Sequence, residues 1–279
     1  MNVVIATTRN PQKVPGLINA ARPGCEAALH AQTVASIASS ESWDRIYYGN
    51  EFCHYLMPSV EELQDLVLEA GKICRPLTLL TPPVGEDFLD RAESLLSFLS
   101  ESLPDAEVVY NDWGVLRLCR QYGLKPVQGR LLNKQRRDPR ILPYFDELPS
   151  GAQQRMRQMG LSKQAVSFLE GLGVSRVELD VLDQGVEDEF TGTGIAVSLY
   201  WPYAVVTNTR DCVFNRGGLG ARSCAQECRG GGYKLAHSSV PGGLLLKGNT
   251  QFYKSSRSIP EVLSYPFVTR FVFQPDLPI

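Results

Sequence analysis

The sequence predicts an α/β fold built on a (β/α) barrel-like domain, which need not be regular. Short apolar runs alternate with amphipathic helical patterns, and this alternation is typical of parallel βαβ units. About six such units fit into roughly 200 residues, which favours a barrel over a doubly wound open sheet. The chain has 279 residues, 43% of them hydrophobic, enough to bury a large core. An open sheet is the alternative.

The elements of the alternating region follow from their periodicity. Apolar runs that stop at Gly, Pro or Asn predict strands over 3–6, 45–48, 77–80, 107–110, 126–128 and 176–180. Apolar residues at helical spacing predict helices over 11–21, 60–70, 88–103, 114–122 and 162–172. Ser162 stands where a helix N-cap is expected, and Asp112 opens the helix after the fourth strand.

The pattern changes after residue 190. Apolar runs predict strands over 196–201, 204–208, 244–247 and 267–273, around a glycine-rich loop over 215–232. The sequence leaves open whether 194–279 closes the barrel or extends it. We therefore treat 1–279 as a single barrel-like domain with a Cys-rich C-terminal loop region, 209–232, as the expected cluster-binding loop.

Composition and charge narrow the function classes. The net charge of −2 and the pI near 6.0 do not predict a nucleic-acid-binding protein or an anionic membrane surface as partner, although local basic runs still could bind either. The first residues reach Arg9 too early for a secretory signal, and no run approaches the ~20 apolar residues of a membrane span. We expect a soluble, cytoplasmic protein.

Polar residues cluster at or just past the predicted strand ends. In a (β/α) barrel these ends share one face, and that face carries the functional site. Asn111, directly after a strand, is therefore a candidate for contact with a substrate, while its neighbour Asp112 is better explained as a helix cap. Glu178 and Asp180 alternate on one face of a strand, which predicts a buried carboxylate.

A basic run follows the strand end at Gln128. Its cations are Arg130, Lys134, Arg136, Arg137 and Arg140. A solvated loop explains such a run as well as an anion site does. As an anion site, Arg130 and Arg137 would bind a carboxylate of a small anionic or aromatic substrate, since guanidinium groups match carboxylates in a bidentate geometry. Nucleic-acid phosphate is the rival ligand.

Seven cysteines in a chain without a signal sequence argue against a disulfide framework. We interpret Cys25, Cys74 and Cys119 as small buried hydrophobes. Cys212, Cys224 and Cys228 differ, because eleven and three residues separate them in a loop rich in glycine and arginine. Close thiols on a flexible backbone, with cations nearby, indicate a metal site.

A metal site of this kind needs a fourth ligand. Cys53 follows the strand end at Gly49 and therefore opens onto the same face of a barrel. Four thiolates suit either a 4Fe–4S cluster or zinc, and the spacing leaves both open. His54 is next to Cys53, but adjacency alone gives it no role.

Several segments together resemble the collagenase-like family of unassigned peptidases, peptidase family U32. They are Tyr47-Tyr48-Gly49 with the preceding Ile46, Val109 to Gly114, Gly173 to Asp180 and the cysteine quartet. Among its members the chain is most similar to the short U and V subunits of the oxygen-independent ubiquinone hydroxylase. Its length and cysteine spacing are closer to V.

The resemblance implies a barrel-like α/β domain with a 4Fe–4S cluster held by Cys53, Cys212, Cys224 and Cys228. It implies hydroxylation without molecular oxygen, in ubiquinone biosynthesis or on a related aromatic ring, by a heterodimer with a paralogous subunit. Longer relatives that hydroxylate RNA bases carry a further C-terminal domain, and the shorter length of this sequence makes us expect an RNA substrate less than a quinone precursor. The chain contains neither Gly-x-Ser-x-Gly nor His-Glu-x-x-His, so peptidase activity is not expected. The alternatives are an RNA base-hydroxylation factor and a non-catalytic binding subunit stapled by its metal.

Overall fold

The computed structural model describes residues 2–6, 43–72, 76–159, 161–218, 223–274 and 277–279. The helix expected over 11–21 lies outside these residues, as do Cys25 and Cys74.

A barrel of parallel strands forms the body of the described chain. Its strands are β1 Asn2–Ala6, β2 Trp43–Gly49, β3 Leu77–Leu80, β4 Glu107–Tyr110, β5 Lys125–Gln128, β6 Arg176–Asp180, β7 Ala196–Trp201 and β12 Val268–Phe273. They follow the order β1-β12-β7-β6-β5-β4-β3-β2, and β1 pairs with β2 in parallel to close the ring. The prediction of an α/β fold with a parallel, barrel-like sheet is confirmed.

Helices connect these strands. They are α1 Val60–Lys72, α2 Leu89–Ser102, α3 Trp113–Gln121, α4 Ser150–Arg157, α5 Lys163–Gly171 and α6 Ile259–Leu263. Side chains alternate along a strand, so one strand can serve two cores. In β4, Val108 and Tyr110 join the large core that includes residues of the helices, while Val109 joins a second cluster with Tyr47 and Tyr200. The second cluster fills the barrel interior.

Two helix starts confirm the capping predictions. The side chain of Asp112 accepts a hydrogen bond from the backbone N–H of Val115 at 2.8 Å, at the start of α3. Ser162 accepts one from Ala165 at 3.1 Å, at the start of α5. Each oxygen satisfies a backbone donor that the helix itself leaves unpaired.

The C-terminal part both closes the barrel and adds a second sheet. β12 lies between β7 and β1, whereas the chain leaves the barrel after β7 to build an antiparallel sheet in the order β8-β11-β10-β9. The bounds of these strands are β8 Tyr203–Asn208, β9 Tyr233–His237, β10 Val240–Lys247 and β11 Thr250–Lys254. The strands predicted over 204–208 and 244–247 are found in β8 and β10, whereas β9 and β11 were not predicted. β9 is largely exposed and carries no apolar run.

The added sheet buries apolar side chains on both faces. Val205 and Phe252 pair across β8 and β11 and pack with Phe52 and Cys228 on one face. The next pair, Ala204 and Tyr253, joins Leu182, Val206 and Leu244 in a different cluster on the opposite face. The first face is called the cysteine face below and the second the outer face.

In the part of the chain that the structure describes, no helix has the length and apolar character needed to cross a membrane.

Candidate functional site

The barrel interior is charged at the N-terminal ends of its strands. Arg270 on β12 donates from Nη1 and Nη2 to the two carboxylate oxygens of Glu107 on β4, at 2.5 and 3.0 Å. Thr78 also donates to Glu107, at 3.0 Å. Burial alone would raise the pKa of Glu107, but the hydrogen bond and positive charge of Arg270 lower it to about 2. This carboxylate therefore stays ionised.

One layer further along, a carboxylate lies between two tyrosines. The hydroxyl of Tyr47 donates to Glu178 Oε1 at 3.0 Å and accepts from Arg270 Nη1 at 2.8 Å. Glu178 Oε2 and the hydroxyl of Tyr200, both buried, have no hydrogen-bond partner among the described residues. Burial raises the pKa of Glu178 to about 7 although Arg270 and Arg176 oppose the rise. The barrel thus encloses a carboxyl group that titrates near neutral pH.

At the C-terminal ends of the strands, Arg130 forms the centre of a buried ion-pair network. Its Nη1 donates to Asp180 Oδ1 at 2.8 Å, and its Nε and Nη2 donate to the two oxygens of Glu51. Arg137 donates from Nε to the other oxygen of Asp180, at 2.8 Å. The guanidinium carbon of Arg130 lies 3.9 Å from the ring centroid of Tyr200, a cation–π contact.

The two arginines that were predicted to bind a substrate anion differ in their exposure to solvent. Arg130 is completely buried, and its donors point at protein acceptors, including the carbonyl oxygen of Tyr203. Arg137 keeps 11% of its side chain exposed and reaches a large cavity. The geometry therefore favours Arg137 over Arg130 for contact with an external anion. A substrate-binding role for either residue stays a prediction.

Asn111 is also engaged by the protein. It is buried, its amide nitrogen donates to the carbonyl of Thr81 at 2.8 Å, and its amide oxygen accepts from the N–H of Leu131 at 3.1 Å. A side chain at Gly129 would collide with this amide, with only 2.2 Å between the added Cβ and Asn111 Oδ1. Asn111 thus holds the loop that carries Arg130, and contact with a substrate stays a prediction.

The four candidate cysteines lie at the same end of the molecule. Cys53 begins a short 3-10 turn, His54–Leu56, and its N–H donates to Asn50 Oδ1 at 2.8 Å. Cys228 lies buried on the cysteine face of the added sheet, and Cys212 and Cys224 are half-buried. All five described cysteines carry a thiol rather than a disulfide, and the fifth, Cys119, is the buried core residue that was expected.

One glutamine joins the two segments that bear cysteines. Gln226 donates from its side chain to the carbonyl of Tyr55 at 2.6 Å, and its backbone N–H donates to Cys224 Sγ at 3.3 Å. Its backbone is left-handed, with φ of 59°, a conformation uncommon for residues other than glycine. The loop between Cys224 and Cys228 is thereby held against the turn that follows Cys53.

The thiols also influence one another electrostatically. Burial, with a smaller contribution from the neighbouring Cys224 and Cys228, raises the pKa of Cys53 to about 11. Burial likewise raises the pKa of Cys212, with Cys224 adding to the effect. Among the described residues, no three or more His, Cys, Asp or Glu side chains are arranged closely enough to hold a metal ion. The donor set itself, four thiols from two distant parts of the chain, is the kind that binds iron–sulfur clusters and zinc.

Two cavities adjoin this end of the barrel. A small one of about 100 Å³ borders Cys53, His54 and Arg210, and the His54 ring there stacks on Phe88 with centroids 4.2 Å apart. A larger one of about 730 Å³ lies on the outer face of the added sheet and includes Arg137 and Arg140 in its wall.

Some of these residues were not singled out by sequence. The sequence analysis did not predict the Arg270–Glu107 ion pair. A pattern that could have predicted it is a charged residue within a short apolar strand, which indicates that the barrel interior contains polar groups. Arg45, Glu107, Arg176 and Arg270 all occupy such positions. The partners Glu51 and Asp180 both stand at strand ends, but only tertiary structure reveals that they meet Arg130.

Comparisons with known proteins leave the family open. No protein-family model and no curated protein matches the chain. Among solved structures, the chain is similar to a dihydropteroate synthase of Xanthomonas albilineans, in complex with indole-2-carboxylic acid and 6-chloroguanine. The identity is 11%, the match covers 71% of this chain and 70% of that chain, and the TM-score is 0.33. The fold and the site define the protein as a parallel α/β barrel with an added antiparallel sheet.

Proposed function

We propose that this protein is an iron–sulfur subunit of an oxygen-independent hydroxylase of the collagenase-like family, acting on a quinone precursor or a related aromatic ring. We further propose that it works in the cytoplasm with a paralogous subunit. One observation supports the proposal: the side chain of Gln226, which lies between Cys224 and Cys228, donates to the carbonyl of Tyr55, two residues after Cys53, and so joins two cysteine-bearing segments that are about 170 residues apart in the chain.

The residues present fit a 4Fe–4S cluster in the chemistry of their donors. Cys53, Cys212, Cys224 and Cys228 would hold it in the Cys-rich loop region 209–232 and the turn after β2. Such a cluster, when bound, supplies one-electron transfer or activation of a bound substrate. Four thiol donors would occupy one position on each iron of the cluster. No iron is then obviously open to substrate, so the cluster need not contact the substrate.

The surrounding residues perform three tasks for such a site. Phe52, Phe252 and Ile279 pack with Cys228 and keep water away from it. The N–H of Gln226 donates to Cys224 Sγ and would orient this sulfur as a ligand. Asn50 and Asn249 fix the Phe52–Cys53 backbone, since Asn50 accepts from both N–H groups and Asn249 donates to the Phe52 carbonyl at 2.8 Å.

A non-catalytic subunit stapled by zinc or by the cluster is the second candidate. The observation that favours it is the complete burial and pairing of Arg130, since this removes one of the two arginines predicted to bind an anion from contact with solvent. In that case the metal would join the turn after β2 to the C-terminal sheet and would take no part in a reaction.

Anaerobic purification with assays of iron and acid-labile sulfide tests the proposal. We expect about four irons and four sulfides per chain and a visible iron–sulfur absorbance band. Cys224→Ser should lose them, whereas the matched control Cys119→Ser, on the buried face of α3, should keep them. Zinc without acid-labile sulfide would overturn the cluster and favour the stapled alternative.

A further inference from the structure

The loop that bears the cysteines carries an aromatic pair that is open to solvent. The rings of Phe214 and Tyr233 stack with their centroids 5.0 Å apart and their planes 20° apart. Tyr233 keeps 60% of its surface exposed, and Val213, next to Phe214, keeps 66%. Tyr233 begins β9, which is the edge strand of the added sheet, so none of the described strands covers it from outside. Exposed apolar side chains that cluster in this way mark a contact surface, unlike scattered ones.

This aromatic pair is joined directly to two of the candidate cysteine ligands. Phe214 is half-buried and packs against the apolar cluster that contains Cys228. The backbone of Phe214 also forms a hydrogen bond with the thiol of Cys212, and Val213 follows that cysteine in the chain. A molecule that covered Tyr233 and Phe214 would therefore approach a metal held by these thiols without entering the barrel.

The surroundings of the aromatic pair are cationic. The segment 209–234 contains five Lys or Arg against two Asp or Glu, a net charge of +3, whereas the whole chain carries −2. Lys234 follows Tyr233, and Arg216 lies two residues after Phe214. Both cations are exposed, and neither forms an ion pair with another described residue. Their charges are therefore available to a partner.

The other charges of the segment are partly offset. Arg229 lowers the pKa of the same buried tyrosine, Tyr48, that the carboxylates of Glu62 and Asp65 raise, so these carboxylates lie near it. Of the two carboxylates of the segment, Glu227 is half-buried and Asp211 is exposed. The two cations beside the aromatic pair thus dominate the charge that a partner would meet there.

An apolar centre with exposed cations beside it fits a partner whose own surface is acidic around an apolar centre. Complementary charges of this kind speed encounter and orient the partner. Three apolar side chains make a small contact, and small interfaces are typical of the weak, transient complexes of electron-transfer proteins. A cluster that exchanges electrons needs such a partner at the surface nearest to its ligands.

We propose that Val213, Phe214, Tyr233, Arg216 and Lys234 form a docking surface for a small acidic electron-carrier protein. The inference rests on the proposed function for the cluster and adds its redox partner. One electron leaves the reduced carrier and enters the cluster, so the carrier is oxidised and the cluster reduced by one electron each. No bond or proton is exchanged in this step.

Calorimetric titration of the anaerobically purified protein tests the docking surface. The probes are two acidic carriers, a plant-type ferredoxin and a flavodoxin, and one basic carrier of similar size, cytochrome c, all in their oxidised forms. We expect at least one acidic carrier to bind at low salt and to bind at least tenfold more weakly at physiological salt, because salt screens exposed charges. Cytochrome c should not bind.

Charge reversal assigns the binding to this surface. Arg216→Glu and Lys234→Glu together should weaken binding of the acidic carrier at least tenfold, and Tyr233→Ser should weaken it at least threefold. Arg117→Glu, at an exposed position on α3, makes the same charge change elsewhere and should bind like the wild type. Reduced flavodoxin should form its one-electron oxidised semiquinone several-fold faster with the wild type than with the double variant.

The outcomes separate the docking surface from the cluster. None of these substitutions replaces a cysteine, so each variant should keep the iron and sulfide content of the wild type. Absence of iron from the wild type would overturn the proposed function. Full iron content without binding of either acidic carrier would overturn the docking surface alone. Equal binding of cytochrome c, or full binding by the double variant, would also overturn it.

Discussion

Arg130 donates to Asp180 at 2.8 Å across the C-terminal mouth of the barrel, and both side chains are completely buried. Because Glu51 accepts from the same guanidinium group and Arg137 donates to the same carboxylate, four charges from three parts of the chain form one network. Buried charges are tolerated only when paired in this way. The network fixes the loop after β5 against the added sheet, through the bond from Arg130 to the Tyr203 carbonyl.

Breaking this network should cost much stability. Arg130→Met would leave Glu51 and Asp180 buried without their shared cation, and we expect the free energy of unfolding to fall by about 3–5 kcal/mol. Urea denaturation followed by circular dichroism measures it. Arg140→Met, which removes a largely exposed partner of Asp138, should change stability by less than about 1 kcal/mol. Equal stabilities for the two variants would contradict this assignment.

Glu107 should contribute stability that disappears in acid. Its pKa is lowered to about 2 in the folded protein from an ordinary 4.5, so the folded state favours the ionised form. The contribution is fully present above pH 4.5 and is lost as the pH falls through 2, a change of about 3 kcal/mol. The stability advantage of the wild type over Glu107→Gln should shrink by about this amount between pH 6 and 2. If the free energies of unfolding of the wild type and Glu107→Gln changed in parallel with pH, the lowered pKa of Glu107 would be contradicted.

The effect of Glu178 on stability should change with pH in the opposite direction to that of Glu107. Burial raises its pKa to about 7, so the folded state holds a proton that the unfolded chain releases near pH 4.5. Stability therefore falls as the pH rises from 4.5 to 7, by about 3 kcal/mol from this group. Glu178→Gln should gain that amount relative to the wild type between pH 4.5 and 8. Glu101→Gln, on the exposed end of α2, is the control and should follow the wild type.

Gln226 should control how firmly the cysteine loop is held. Gln226→Gly keeps a residue that accepts the left-handed backbone but removes the bond to the Tyr55 carbonyl. On the proposed function, we expect near-normal iron content after purification but release of iron to a chelator several-fold faster than in the wild type. Gln154→Gly, on the exposed surface of α4, is the control for a general loss of stability. Release at the wild-type rate would show that the side-chain bond does not hold the loop.

The sequence predicted the elements well because helix and strand periodicity is local. The strand over 176–180 and the caps Asp112 and Ser162 agree with the structure, since each depends on neighbours within a few residues. The same reasoning failed for β9, because an exposed edge strand carries no apolar alternation. The substrate-binding roles of Arg130 and Asn111 stay predictions, since a polar residue after a strand looks alike in sequence whether it faces a ligand or a buried partner.

By itself, then, the sequence determined the α/β class, the eight strands of the barrel, four of its helices, and the two groups of cysteines that form the candidate metal site. Only the tertiary structure decided that β12 closes the barrel, that β8 to β11 form a separate sheet, and that Arg130 pairs with Glu51 and Asp180. The physical reason is the range of the interactions. Periodicity and capping act over a few residues, whereas the partners of Arg130 lie 79 and 50 positions away, and their pairing depends on how the barrel brings strand ends together.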